Sequence, residues 1–187
     1  MDAQRAELAD LITAADDVAS EAKSVFGNLS VTQLNWKPSS DRWSVAQCFD
    51  HLITSHAGYF PVVDNVLAGN RPTFWERVPG LPRLAGKMLI KSLDPASTRK
   101  VKAPKKFQPA QSDIRASVID DFVANQAQVV EKMKASERLD LERTIVTSPI
   151  AAPITFSLMD AFRIIVVHER RHFQQAKRVT EDRAFPK

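Results

Sequence analysis

Four histidines, at positions 51, 56, 168 and 172, carry the most chemical information in this chain of 187 residues. His168 and His172 are four apart, so on a helix they project from one face, one turn from each other. An ion held about 2.0–2.1 Å from each imidazole nitrogen can bridge such a pair. Both fall in line with Leu158, Phe162 and Ile165, on an apolar face where a solvated charge would be costly. His51 lies in a second helical pattern, and in an antiparallel bundle the middle of that helix can face the middle of the last one. Three neutral imidazoles from two helices would hold one divalent transition metal and leave further positions for water or substrate. His56 follows His51 by five residues, about 140° round the helix, and is excluded as a ligand. Spacing alone also allows each of these histidines to be a hydrogen-bonded core residue.

The residues around the histidines sort by angle. Gln47, Ser55 and Gln175 lie close to the ligand faces, where they can hydrogen-bond an imidazole N–H, a water or a substrate, or merely fill a polar corner. Asp50 and Glu169 each adjoin a ligand and point about 100° away, as partners behind the ligands or as surface groups. Cys48 sits about 60° off the His51 face and reads as a small buried hydrophobe. Trp36 and Trp43 read as packing anchors, while Phe74-Trp75 is placed to line the mouth of a site. The run His168-Glu169-Arg170-Arg171-His172 matches the H-E-x-x-H signature of zinc peptidases. Only 15 residues follow it and none is histidine; the metzincin position for a third ligand holds Arg178. Peptidase activity is therefore the weakest of the enzymatic readings. Nothing resembles a phosphate loop, a Ser-His-Asp arrangement or a nucleic-acid surface of interleaved basic and aromatic residues.

Four long amphipathic patterns must position these groups. Apolar residues recur at three-and-four spacing over 2–26, and Gly27-Asn28 stops them. Ser44-Val45-Ala46-Gln47 reads as a capping box opening a helix that runs to Leu67. A third helix is predicted to open near Ser112 or Asp113 and to carry Ile114, Val118, Phe122, Val129, Val130 and Met133. A fourth follows Pro149 and Pro153, capped by Ser157, and continues to about Val179. The expectation is an all-α, antiparallel four-helix bundle forming a single domain over 1–187. Residues 69–111 hold six of the eleven prolines and form a long crossover between the second and third helices. Within it, 81–93 is predicted as a short helix with Leu84, Met88 and Leu89 inward and Arg83, Lys87 and Lys91 outward, a candidate lid or specificity element. A short strand pattern covers 143–146.

Charge and composition narrow the classes. The formal charge of +4 arises in residues 71–111, where ten Lys and Arg face two acids; elsewhere 16 basic residues face 20 acidic ones. This reads as a solvated loop, and no nucleic-acid partner is expected. One cysteine excludes an internal disulfide. Neither a signal-peptide pattern nor an apolar run of about 18 residues is visible, so no membrane association is expected and the cytoplasm is the default compartment.

Leu34-Asn35-Trp36-Lys37-Pro38-Ser39, Trp43-Ser44-Val45-Ala46-Gln47 leading to Asp50-His51-Leu52, and His168-x-x-x-His172-x-x-Gln175 together resemble the DinB-like superfamily of metal-binding bundles. That superfamily includes YfiT-type proteins and thiol-dependent S-transferases. The resemblance implies metal ligation by His51, His168 and His172, a zinc or nickel ion, and a homodimer. It implies either an enzyme that activates water or a low-molecular-weight thiol against a small-molecule substrate, of hydrolase or S-transferase type, or a non-catalytic binding or stress-response module.

Overall fold

The computed structural model describes residues 2–70, 73, 74, 76, 81–93, 107–109, 113–150 and 154–187, with side chains in the 81–93 helix from residue 85. The described residues form α1 (Asp2–Phe26), α2 (Val31–Asn35), α3 (Val45–Leu67), α4 (Leu81–Leu93), α5 (Val118–Ala135) and α6 (Leu158–Thr180). A short hairpin, β1 (Ile145–Thr147) and β2 (Thr155–Ser157), precedes α6. Trp75 and most of the basic run of the crossover lie outside the described residues, as do the expected inward Leu84 and outward Arg83 side chains.

Local chemistry fixes the helix ends. Ser44 accepts from the Gln47 N–H while the Gln47 side chain accepts from the Ser44 N–H, the reciprocal cap expected of this sequence. Ser30 and Gln33 repeat the device at α2, a five-residue helix that hydrophobic periodicity is too short to reveal. The α3 helix closes at Gly69, whose φ of +68° places it in the left-handed region. Ser157 caps α6 by accepting from the Asp160 N–H at 3.0 Å. The helix α5 starts at Val118, later than the sequence pattern implies. Asp113 has φ +55°, which no helical residue adopts, and Ile114 is buried in extended chain with its N–H and carbonyl both taken by the Asn35 amide.

The four long helices touch in the cyclic order α1, α5, α3, α6. Two apolar clusters fill the bundle. One joins the start of α1, the ends of α3 and α5 and the start of α6; the other joins the end of α1, the starts of α3 and α5 and the end of α6. Thus α3 runs antiparallel to α6 and α1 antiparallel to α5. The long crossover returns the chain so that α3 and α5 run the same way. Between the clusters lies a buried polar layer of His51, Ser55, His56, Asn125, Gln126, Glu169 and His172.

The crossover helix α4 packs on α6 and β2. Its contact face is set by Gly86, where an added Cβ would clash with the Asp160 carboxylate, with Leu89, Ile90 and Leu93 against the core. Met88 points away and is 64% exposed, contrary to the expected inward position, because the close Gly86 approach rotates that face toward α6. The hairpin pairs Ile145 with Ser157 and Thr147 with Thr155. Arg163 ties this end together, donating to Glu7, Asp160 and Glu142.

Candidate metal centre

The α3 and α6 helices bring His51, His168 and His172 together, with one ring nitrogen of each within 4.8 Å of the others. Nε2 of His51 lies 3.1 Å from Nε2 of His168. Two ligands about 2.0–2.1 Å from one ion stand roughly 2.9 Å apart at a right angle and roughly 3.3 Å apart at the tetrahedral angle. The observed separation falls between these limits, so this pair of nitrogens fits a transition metal, with a His172 ring nitrogen within 4.8 Å of both.

Burial holds the imidazoles neutral. It lowers the pKa of His51, opposed by the hydrogen bond to the Phe107 carbonyl. It lowers those of His168 and His172 further, aided by the neighbouring histidines and by the Arg171 charge. Neutral rings present the lone pairs that a metal needs. Among the described residues Nδ1 of His172 is buried without a hydrogen-bond partner, whereas Nδ1 of His51 meets the Phe107 carbonyl oxygen. Phe107 belongs to the crossover, so among the described residues of that segment it is this one, and not α4, that reaches the triad. Asp160, against which α4 packs, lies eight residues before His168, about 12 Å along α6.

The other expected residues divide. Gln47 is buried one turn before His51, its amide oxygen engaged in the Ser44 cap. Ser55 is buried one turn after His51. Gln175 is half-buried about one turn after His172, and its side-chain amide raises the pKa of His172 against the larger effect of burial. Trp36 packs edge-on against Phe185, as an anchor should. Trp43 does more than anchor: its ring stacks on His172 at 5.4 Å between centroids and 19° between planes, and stands 4.9 Å from His51. It forms one wall of the centre. Phe74 is 72% exposed. Cys48 is fully buried and its thiol pKa is pushed up by burial, so it supplies no thiolate.

Glu169 turns away from the triad. It is fully buried, with Oε1 3.2 Å from Nε2 of His56, off the line of a good hydrogen bond. His56 in turn meets Asn125 through Nδ1 at 2.7 Å. Excluding His56 as a ligand agrees with this arrangement, but a surface role for Glu169 does not. The signal was present in the sequence: Glu169 stands four residues from both Ile165 and Phe173, on an apolar stripe, and His56 lies in the stripe of Phe49, Leu52, Tyr59 and Val63.

The fold and centre define a helical bundle with a buried three-histidine cluster facing between two of its helices. A family model, the DinB superfamily, matches residues 14–176, and the chain belongs to that superfamily. Comparison with curated proteins and with solved structures found no match. Both the family and the histidine cluster are compatible with metal binding. No described helix is long and apolar enough to cross a membrane.

Proposed function

We propose that this protein is a metal-dependent enzyme whose ion, zinc or nickel, is held by His51, His168 and His172, and whose substrates are a small molecule and water or a low-molecular-weight thiol. The observation that carries the reading is the convergence of three neutral, desolvated imidazoles on one point between α3 and α6. Among the described residues this group has three protein ligands, fewer than the four that close a structural zinc site. A divalent ion held by these three residues would lower the pKa of a water or thiol and so supply a nucleophile at neutral pH. The chain's own groups do the rest. Trp43 shields one side of the cluster from solvent, the Phe107 carbonyl orients His51, and the Gln175 amide beside His172 favours its protonated form against the effect of burial. Hydrolysis and thiol transfer are the two reaction types this supports, and we propose a homodimer in the cytoplasm.

A peptidase mechanism requires the glutamate of the H-E-x-x-H run to reach the metal-bound water. Glu169 is paired with His56 instead. The same observation favours a second reading, a non-catalytic metal-dependent module, since it removes the carboxylate of the H-E-x-x-H run as a base. Metal analysis of untagged protein decides the first step. Wild type should hold about one equivalent, and His51→Ala and His172→Ala should hold none while remaining helical. No metal in wild type after reconstitution with zinc and nickel would return the triad to core packing. Turnover of a thiol with an electrophile, or of an ester and amide panel, then supports the enzyme, and failure of both panels in fully loaded protein supports the module.

A further inference from the structure

The orientation of His51 depends on a main-chain group 56 residues away in sequence. A carbonyl oxygen only accepts, so the contact with Phe107 requires the proton on Nδ1 and leaves the lone pair on Nε2, the atom facing His168. The carbonyl must itself be held, and the Phe107 side chain does this. Phe107 is 5% exposed, and its ring lies over Gly58 on α3. A Cβ at position 58 would stand 2.9 Å from Cε1 and 3.3 Å from Cζ of that ring, and 3.3 Å from Cβ of Pro149. Gly58 follows His51 by seven residues, two turns along the same face. Glycine inside a helix costs about 1 kcal/mol relative to alanine, and close approach of the Phe107 ring is the feature here that requires it.

We propose that Gly58 is a seat for Phe107 and that this pair is the positioning element of the metal centre: the ring anchors on Gly58, and the carbonyl of the same residue selects the Nδ1-protonated form of His51. The effect on metal affinity rests on the metal centre proposed above. The effect on the His51 tautomer does not.

The test reads both. In metal-free protein with 15N-labelled histidine at neutral pH, long-range 1H–15N correlation spectra, assigned with His51→Ala, should show His51 as a single Nδ1–H tautomer. Gly58→Ala fills the seat. It should mix the tautomers, weaken Co(II) binding about 10–100-fold and shift the Co(II) ligand-field bands, with helical circular dichroism retained. Adding Phe107→Leu removes Cε1 and Cζ but keeps the carbonyl, and should restore the single tautomer and most of the affinity. Phe107→Ala, which removes the anchor without crowding α3, should mix the tautomers as Gly58→Ala does. An Nε2–H tautomer in wild type would overturn the proposal, as would an unchanged tautomer in both Gly58→Ala and Phe107→Ala. A wild type that binds no Co(II) yet shows the expected tautomer changes would support the positioning role and remove the metal reading.

Discussion

Replacing Glu169 by leucine tests how the polar layer is held. His56 and Glu169 are 1% and 0% exposed, and neither Glu169 oxygen has a hydrogen-bond partner among the described residues. Glu169→Leu strands Nε2 of His56 in an apolar interior. Breaking a buried pair of this kind costs about 3–5 kcal/mol, and the off-line approach of the two groups places the expected cost near 3 kcal/mol. Unfolding entropy of about 2.1 cal/mol/K per residue over 187 residues gives about 0.4 kcal/mol per degree. The melting temperature of metal-free protein should therefore fall by roughly 8 °C. Adding His56→Leu removes the stranded imidazole and leaves Asn125 Oδ1 without that partner, a smaller cost of about 1–3 kcal/mol. The double variant should accordingly equal or exceed the single in stability. The assay is urea and thermal denaturation followed by far-UV circular dichroism. A loss below about 1 kcal/mol for Glu169→Leu, or a double variant whose losses simply add, would refute the argument. Loss of bound metal without loss of stability would instead place Glu169 at the ion.

Gly86→Ala should destabilise the fold by about 1–3 kcal/mol despite the better helix propensity of alanine. The new Cβ would meet a buried Asp160 carboxylate that Arg163 holds at 2.8 Å; an unchanged melting temperature would show that α4 can shift. Metal-free protein should lose stability as pH falls below about 6.5. The lowered pKa values of His168 and His172 mean that the unfolded chain binds protons first, so their contribution is complete above the unfolded value and lost toward the folded one. Denaturation midpoints that stay flat between about pH 7.5 and 5 would contradict that burial. Cys48 should resist a thiol-reactive disulfide in native protein and react at once in denaturant, since its thiol is fully buried and its pKa raised. Rapid stoichiometric labelling of the native protein would refute its placement.

Local patterns in the sequence determined the long helices, because apolar periodicity and side-chain caps act within a few residues. The ends of α1 and α3, the Ser44–Gln47 box and the Ser157 cap all follow from such contacts. The same locality set His168 and His172 one turn apart on a shared face. The pairing of β1 with β2 was less legible, since three-residue strands carry little alternation. Tertiary structure alone decided how Phe107 meets His51, which way Trp43 stacks and what Glu169 faces. The first contact uses a main-chain carbonyl, a group every residue possesses, so no residue type could announce it. The others join groups on separate elements, and their geometry depends on how α3, α5 and α6 rotate against one another as their apolar faces close. The burial that results lowers the pKa of the three histidines, and their spacing in the sequence could not specify that environment.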